Sequence, residues 1–260
     1  MLILNFSSSG YFLPPFLCNM PKLRALVMLN SNATHATISN FSVFSSLINL
    51  RSIWLEKVSI AQLFDACAPF KNLRKISLIF CKIKNSLDES AANVSQIFPF
   101  LLELKIDHCN DLVKLPSSIC EMQSLKCLSV TNCHSLSQLP TNLWKLKNLQ
   151  ILRLSACPLL TTLPPGICGL SCLKYIDLSQ CVNLISLPEE IGKLANLDKI
   201  DMRECSLIRT LPRSVVCLQS LCHVICEEDV SWLWEDLKSH MPNLYIQVAE
   251  KCFDLDWLND

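Results

Sequence analysis

"LQILRLSACPLLTTLPPGICGL" runs from Leu149 to Leu170, and its neighbours on both sides repeat it. "LLELKIDHCNDLVKLPSSICEM" starts at Leu101 and "LKCLSVTNCHSLSQLPTNLWKL" at Leu125. "LKYIDLSQCVNLISLPEEIGKL" starts at Leu173 and "LDKIDMRECSLIRTLPRSVVCL" at Leu197. Each copy begins 24 residues after the last, without insertion. The shared pattern is L-x-x-L-x-L-x-x-C-x-x-L-x-x-L-P-x-x-I-x-x-L. A fixed period of this length marks a solenoid, in which each turn buries its apolar faces against the next.

The pattern is that of the leucine-rich repeat. The L-x-L core alternates with period 2, so a short strand buries one face. Leu160, Leu163, Ile167 and Leu170 then turn inward from the opposite side. Pro164 fixes φ and removes a backbone donor where the chain reverses. The expected fold is an α/β leucine-rich-repeat solenoid, or horseshoe. It has a parallel concave β-sheet, short convex turns and a C-terminal helix–strand cap. Cys81, Cys109, Cys133, Cys157, Cys181 and Cys205 form a column just after the strands. A thiol there is small, tolerates burial and offers a weak donor. Adjacent strands lie about 4.8 Å apart, wider than the ~3.8 Å Cβ separation of a disulfide, so a structural ladder of free thiols is expected.

Organisation follows repeat regularity. Residues 1–100 hold irregular repeats, with "LRALVML" at Leu23, "LRSIWLEKV" at Leu50 and "LRKISLIFC" at Leu73. The arm "SNATHATISNFSVFSS" supplies the extra length. The start reads as truncated, since "LILNFSSS" opens on a strand with no cap before it. Residues 101–226 hold the five regular cysteine repeats and the start of the cap. Residues 227–260 form an acidic, Trp-rich cap, with nine acidic against two basic residues. There Asp229 reads as the N-cap of a helix in "DVSWLWEDLKSHM", stopped by Pro242 and followed by a strand in "LYIQVAE". Trp232, Trp234 and Trp257 are expected to seal the open core.

Composition narrows function. Half of the 260 residues are hydrophobic and 23 basic residues balance 23 acidic ones. Basic residues are scattered singly, which argues against nucleic acid. No apolar run approaches the ~20 residues of a membrane span, and no signal peptide opens the chain. Sixteen cysteines in a chain so rich in apolar residues point to a reducing compartment rather than a stapled secreted domain. No C-x-x-C pair or activated nucleophile stands out, so no metal, cofactor, small-molecule substrate or catalytic role is expected.

"LILNFSSSGYFLPPF", "MPKLRAL", "LRSIWLEKVSI", the five cysteine repeats and the tail "VICEEDVSWLWEDLKSHMPNLYIQVAEKCFDLDWLND" carry a further resemblance. The chain resembles the C-terminal leucine-rich-repeat region of plant intracellular NLR disease-resistance proteins. Within these it is similar to the helper class, whose N-terminal coiled-coil domain is of the powdery-mildew-resistance type and is absent here. That resemblance implies a cytoplasmic interaction domain of innate immunity, with membrane-associated or nuclear pools allowed, acting in the hypersensitive response as a recognition and autoinhibitory arm. It implies the remainder of a receptor and lipase-like immune adaptors as partners. No G-x-x-x-x-G-K-[ST] phosphate loop is present, so the nucleotide-binding switch is missing. The alternative is a Ras-group-type leucine-rich-repeat signalling scaffold, which shares "LPxxIxxL" but lacks the cysteine ladder and acidic tail.

Concave solenoid surfaces are the usual binding faces. Positions flanking the inward strand residues give Trp54, Lys75, Glu103, Lys105, Asp107, His108, Arg153, Tyr175, Asp177, Lys199, Asp201, Arg203 and Glu204 as the candidate partner face. Arg153 and Tyr175 are the residue types that anchor interfaces.

Overall fold

A computed structural model of the chain describes residues 1–60, 69–83 and 94–249. Trp257 lies outside them. In chain order the strands are β1 (Leu2–Phe6), β2 (Gly10–Phe12), β3 (Ala25–Asn30), β4 (Ala36–Ser39), β5 (Ser52–Glu56), β6 (Val58–Ser59) and β7 (Lys75–Ile79). They continue with β8 (Glu103–Asp107), β9 (Cys127–Thr131), β10 (Ile151–Arg153), β11 (Tyr175–Asp177), β12 (Lys199–Asp201), β13 (His223–Cys226) and β14 (Tyr245–Val248). Helices α1 (Val94–Ile97) and α2 (Glu228–Glu235) are short.

Eleven strands form one parallel sheet in the order β1-β3-β5-β7-β8-β9-β10-β11-β12-β13-β14. Sequential neighbours with crossovers between them make an open solenoid sheet. The register advances by one repeat at each step: Leu104 faces Leu128, Leu128 faces Leu152, and Leu152 faces Ile176. These inward residues are buried, and a continuous apolar cluster runs from Leu13 to Leu244. The irregular repeats, the regular repeats and the start of the cap therefore share one core.

On the convex side each of the five regular repeats carries a 3-10 helix rather than a simple turn. Pro116, Pro164 and Pro212 stand immediately before those at Ser117–Glu121, Pro165–Gly169 and Arg213–Cys217. Each has extended ψ and a φ that the ring already fixes. Stacking is tight there. A Cβ at Gly192 would collide with the carbonyl oxygen of Ser214 in the next repeat. Gly192 is thus required by close approach, not by an unusual backbone angle. Asn49, Asn72, Asn148 and Asn196 staple the same side, each donating to a carbonyl of the preceding repeat at 2.7–2.9 Å.

The extra length of the first repeats is not slack. β2, β4 and β6 form a second, three-stranded parallel sheet. The arm after Ser31 supplies β4 and a 3-10 helix at Phe41–Ser46 that buries Phe41, Val43 and Phe44. At the other end α2 begins two residues earlier than expected. Its N-cap position is Glu227, not Asp229, which lies in the first turn beside Glu228. Both acids still favour the positive end of the helix dipole. The helix ends at Glu235, and Lys238 and His240 fall in the turns that follow. Of the cap's two described tryptophans only Trp234 seals the core, at 0% exposure, with its indole N–H on the Met202 sulfur. Trp232 is 54% exposed, because two positions along a helix turn a side chain to the other face.

Candidate functional site

Parallel register turns the concave residues into rows that cross the strands. One row reads Lys75, Glu103, Cys127, Ile151, Tyr175, Lys199, His223, Tyr245. The next reads Trp54, Ser77, Lys105, Ser129, Arg153, Asp177, Asp201, Ile225, Gln247. Ten of the thirteen candidate residues stand on strands. His108, Arg203 and Glu204 follow their strands instead. His108 and Glu204 occupy a left-handed backbone position, with φ of 55° and 58°. Trp54 lies four strand positions from Arg153 and forms no common site with it.

Most charges on this face are neutralised by their neighbours. Lys75 meets Glu103 at 2.7 Å and Lys105 meets Asp107 at 3.4 Å. Asp107 also accepts from Thr131 Oγ1 at 2.7 Å and Asn132 Nδ2 at 2.8 Å, and lies 3.1 Å from His108 Nδ1. Burial pushes the Asp107 carboxyl up, but these hydrogen bonds, with Lys105 and His108, outweigh it and hold the group below its ordinary value. Asp201 is 2% exposed and is gripped by both arms of the Arg203 guanidinium, Nε at 3.0 Å and a terminal nitrogen at 2.8 Å. Asp177 accepts from the Ser179 backbone N–H at 3.1 Å and its hydroxyl at 2.7 Å.

Arg153 and Lys199 differ. Neither forms an ion pair among the described residues; both stand over the Tyr175 ring, at 5.5 Å and 5.6 Å from its centroid. Such contacts contribute about 0.5–1 kcal/mol each at exposed sites. Burial pushes the Tyr175 hydroxyl up to about 12, helped by Asp177 and Asp201 and opposed by Arg153. It therefore remains a donor at neutral pH.

Beneath the sheet, the ladder cysteines are buried free thiols. Cys81 and Cys205 point their sulfurs at carbonyls of the preceding repeat, Leu55 at 3.4 Å and Leu178 at 3.0 Å. The residue before each ladder cysteine is left-handed: Phe80, His108, Asn132, Ala156, Gln180 and Glu204. This column has no glycine, and only His108 and Asn132 offer a sequence signal for it. Its purpose is visible in the hydrogen bonds. The Ala156 N–H donates to Ser179 O at 2.8 Å and the Gln180 N–H to Arg203 O at 2.7 Å, so each kink ties one repeat to the next. Among the described residues, no group of three or more His, Cys, Asp or Glu side chains is placed to hold a metal ion. None of the described helices is long and apolar enough to cross a membrane.

The parallel sheet, convex 3-10 helices and cysteine ladder define the class, a leucine-rich-repeat solenoid. The Leucine Rich Repeat family matches at residues 148–170. The chain is 64% identical over 260 residues to the Probable disease resistance protein At4g33300 of Arabidopsis thaliana, covering all of this chain and 32% of that protein. It is 57% identical over 260 residues to Disease resistance protein ADR1 of Arabidopsis thaliana, covering all of this chain and 33% of the relative. It is thus a leucine-rich-repeat region of the plant disease-resistance (NLR) type, spanning about a third of the length of these relatives. Among solved structures, the leucine-rich repeat domain of the type III effector XCV3220 (XopL) superposes with a TM-score of 0.68. That match has 22% identity and covers 95% of this chain and 75% of the other, a likeness of fold.

Proposed function

We propose that this chain acts by contact alone, as the recognition and autoinhibitory leucine-rich-repeat arm of a helper-type disease-resistance protein, without catalysis of its own. The observation that carries the reading is whole-length identity of 57–64% to plant disease resistance proteins. Identity of 57–64% over all residues of this chain exceeds what a shared core requires, because solenoid cores tolerate many apolar substitutions. The concave strip is the contact surface in this reading, with Arg153 and Tyr175 as anchors, and it operates in the cytoplasm. The remainder of a receptor and lipase-like immune adaptors are the partners it would serve.

Co-expression in leaf tissue with a full-length helper receptor and its lipase-like adaptors tests the reading. The wild-type chain is expected to co-purify with at least one of them and to alter cell death. Arg153→Ala combined with Tyr175→Ala is expected to lose that association, each truncation at a hot spot costing about 2 kcal/mol. Absence of association and of any effect on cell death would overturn the interaction role.

A further inference from the structure

The charged concave residues divide into two groups. Lys75, Lys105 and Arg203 each have a carboxylate within reach on their own strand, on the next strand or two residues away. Arg153 and Lys199 have none among the described residues, and they flank the same aromatic ring. Cations left unpaired beside ion pairs that close among themselves mark where an outside anion completes the pairing.

The geometry around them suits an extended chain. Arg153 stands on β10, Tyr175 on β11 and Lys199 on β12, so the two cations span two strand spacings, roughly 10 Å. Neighbouring concave positions are small. Ser129 precedes Arg153 in its row and Ser179 lies beyond Asp177; both are buried, so nothing tall stands over the ring from those positions. Asp177 is not held by a cation among the described residues. Its carboxylate is turned to the Ser179 N–H and hydroxyl, which bind one of its oxygens. Asp201 is neutralised by Arg203. Both unpaired cations are held against the ring in advance. Holding them there lowers the side-chain entropy lost on binding.

We propose that the Arg153–Tyr175–Lys199 patch binds an acidic segment of a partner protein in the extended polyproline II conformation, with carboxylates three residues apart on one face of the segment meeting Arg153 and Lys199 across the Tyr175 ring. Three residues of polyproline II chain make one turn and cover about 9 Å, which returns a side chain to the same face and matches the span of the cations. This assignment rests on the concave-face reading above and adds the chemistry of the partner.

The test uses the whole chain and a fluorescent, capped peptide with two Glu residues three apart in a Ser background. A Gln version and a Lys version are the controls, and anisotropy is read at about 50 mM and about 300 mM salt. The acidic peptide is expected to bind at least about tenfold more tightly than the Gln version at low salt, and the preference to shrink at high salt. Arg153→Ala with Lys199→Ala is expected to abolish the preference. Arg153→Lys with Lys199→Arg is expected to retain most of it. Lys193→Ala, which removes a convex-side cation paired with Glu190 at 2.6 Å, is expected to leave it unchanged. Circular dichroism melts confirm that each variant folds. Equal binding of the acidic and Gln peptides would overturn the assignment, as would a Lys193→Ala loss as large as that of the double variant. If receptor association in leaf depends on Arg153 and Tyr175 while the peptides show no acidic preference, the concave-face reading stands and the acidic partner fails.

Discussion

The Cys181 sulfur lies 2.8 Å from the carbonyl oxygen of Leu154, the inward residue just past β10 in the preceding repeat. The thiol therefore does two things at once. It fills an apolar position and donates across the repeat boundary, so the ladder is part of what stacks one turn on the next.

The ladder thiols should be chemically silent in the folded protein. Burial pushes Cys157 and Cys181 up to about 12, against the hydrogen bonds from neighbouring repeats that oppose it. At pH 8 the thiolate fraction at such a site is about one in ten thousand. Cys18, Cys217 and Cys222 are exposed. A short iodoacetamide pulse read by mass spectrometry should label these first and the ladder only after unfolding. Labelling of Cys157 or Cys181 ahead of Cys217 would mean that the column is not buried.

Stability should fall in alkali. The folded values of Cys133, Cys157 and Cys181 are raised from 9.0 to about 11, about 12 and about 12, and burial is the largest cause in each. The unfolded chain loses these protons first. The stabilisation is therefore complete below pH 9 and is lost as pH rises toward the folded values. Tyr175, raised from 10.0 to about 12, adds in the same direction. Urea midpoints measured from pH 7 to pH 11 should be flat at first and then drop above pH 9. A flat profile to pH 11 would contradict buried protonated thiols.

Leu154 and Leu159 provide a test of register within five residues. Leu154 is 0% exposed and Leu159 is 52% exposed. Leu154→Ala should cost about 2–5 kcal/mol through lost burial and the cavity left behind. Leu159→Ala should stay within about 0.5 kcal/mol. Thermal melts separate the two, at roughly 2–4 °C per kcal/mol for a chain of this size. Equal shifts would mean that the repeat is threaded with the wrong residues inward.

Gly192→Ala should destabilise the last repeats. The added methyl meets a carbonyl of Ser214, which is backbone and cannot swing away. Overpacking of this kind costs about 1–3 kcal/mol. Gly10→Ala is the control, since a Cβ there meets nothing within 4 Å. Hydrogen exchange should show earlier opening near Arg213–Cys217 in the Gly192 variant and no change in the control.

The alternation of Leu104 and Ile106, the recurring ladder cysteines and the Leu-Pro turns were legible in the sequence, because an inward position must be apolar in every repeat and the period repeats that demand. The short β4 and β6 were not legible, since their pairing partners come from different, unequally spaced repeats. Helix α2 was expected, but its start and its buried face were misplaced. Trp232 and Trp234 look alike in sequence, and only the rotation of the helix on the core separates them. The left-handed column at Phe80, Ala156 and Gln180 carried no glycine to announce it; its cause is the hydrogen bond each residue makes to the following repeat.

The candidate surface divides the same way. The sequence by itself determined that this protein is a stacked solenoid with a row of polar residues on one face of a parallel sheet, because burial enforces periodicity on the residues it selects. Only the tertiary structure decided which of those charges cancel. Arg203 and Asp201 are two residues apart, Lys75 and Glu103 are 28 apart, and both pairs close. Arg153 and Lys199, 46 residues apart, converge instead on Tyr175 between them. Charge pairing depends on strand register and on where each side chain reaches, and neither is constrained by the apolar period that the sequence displays.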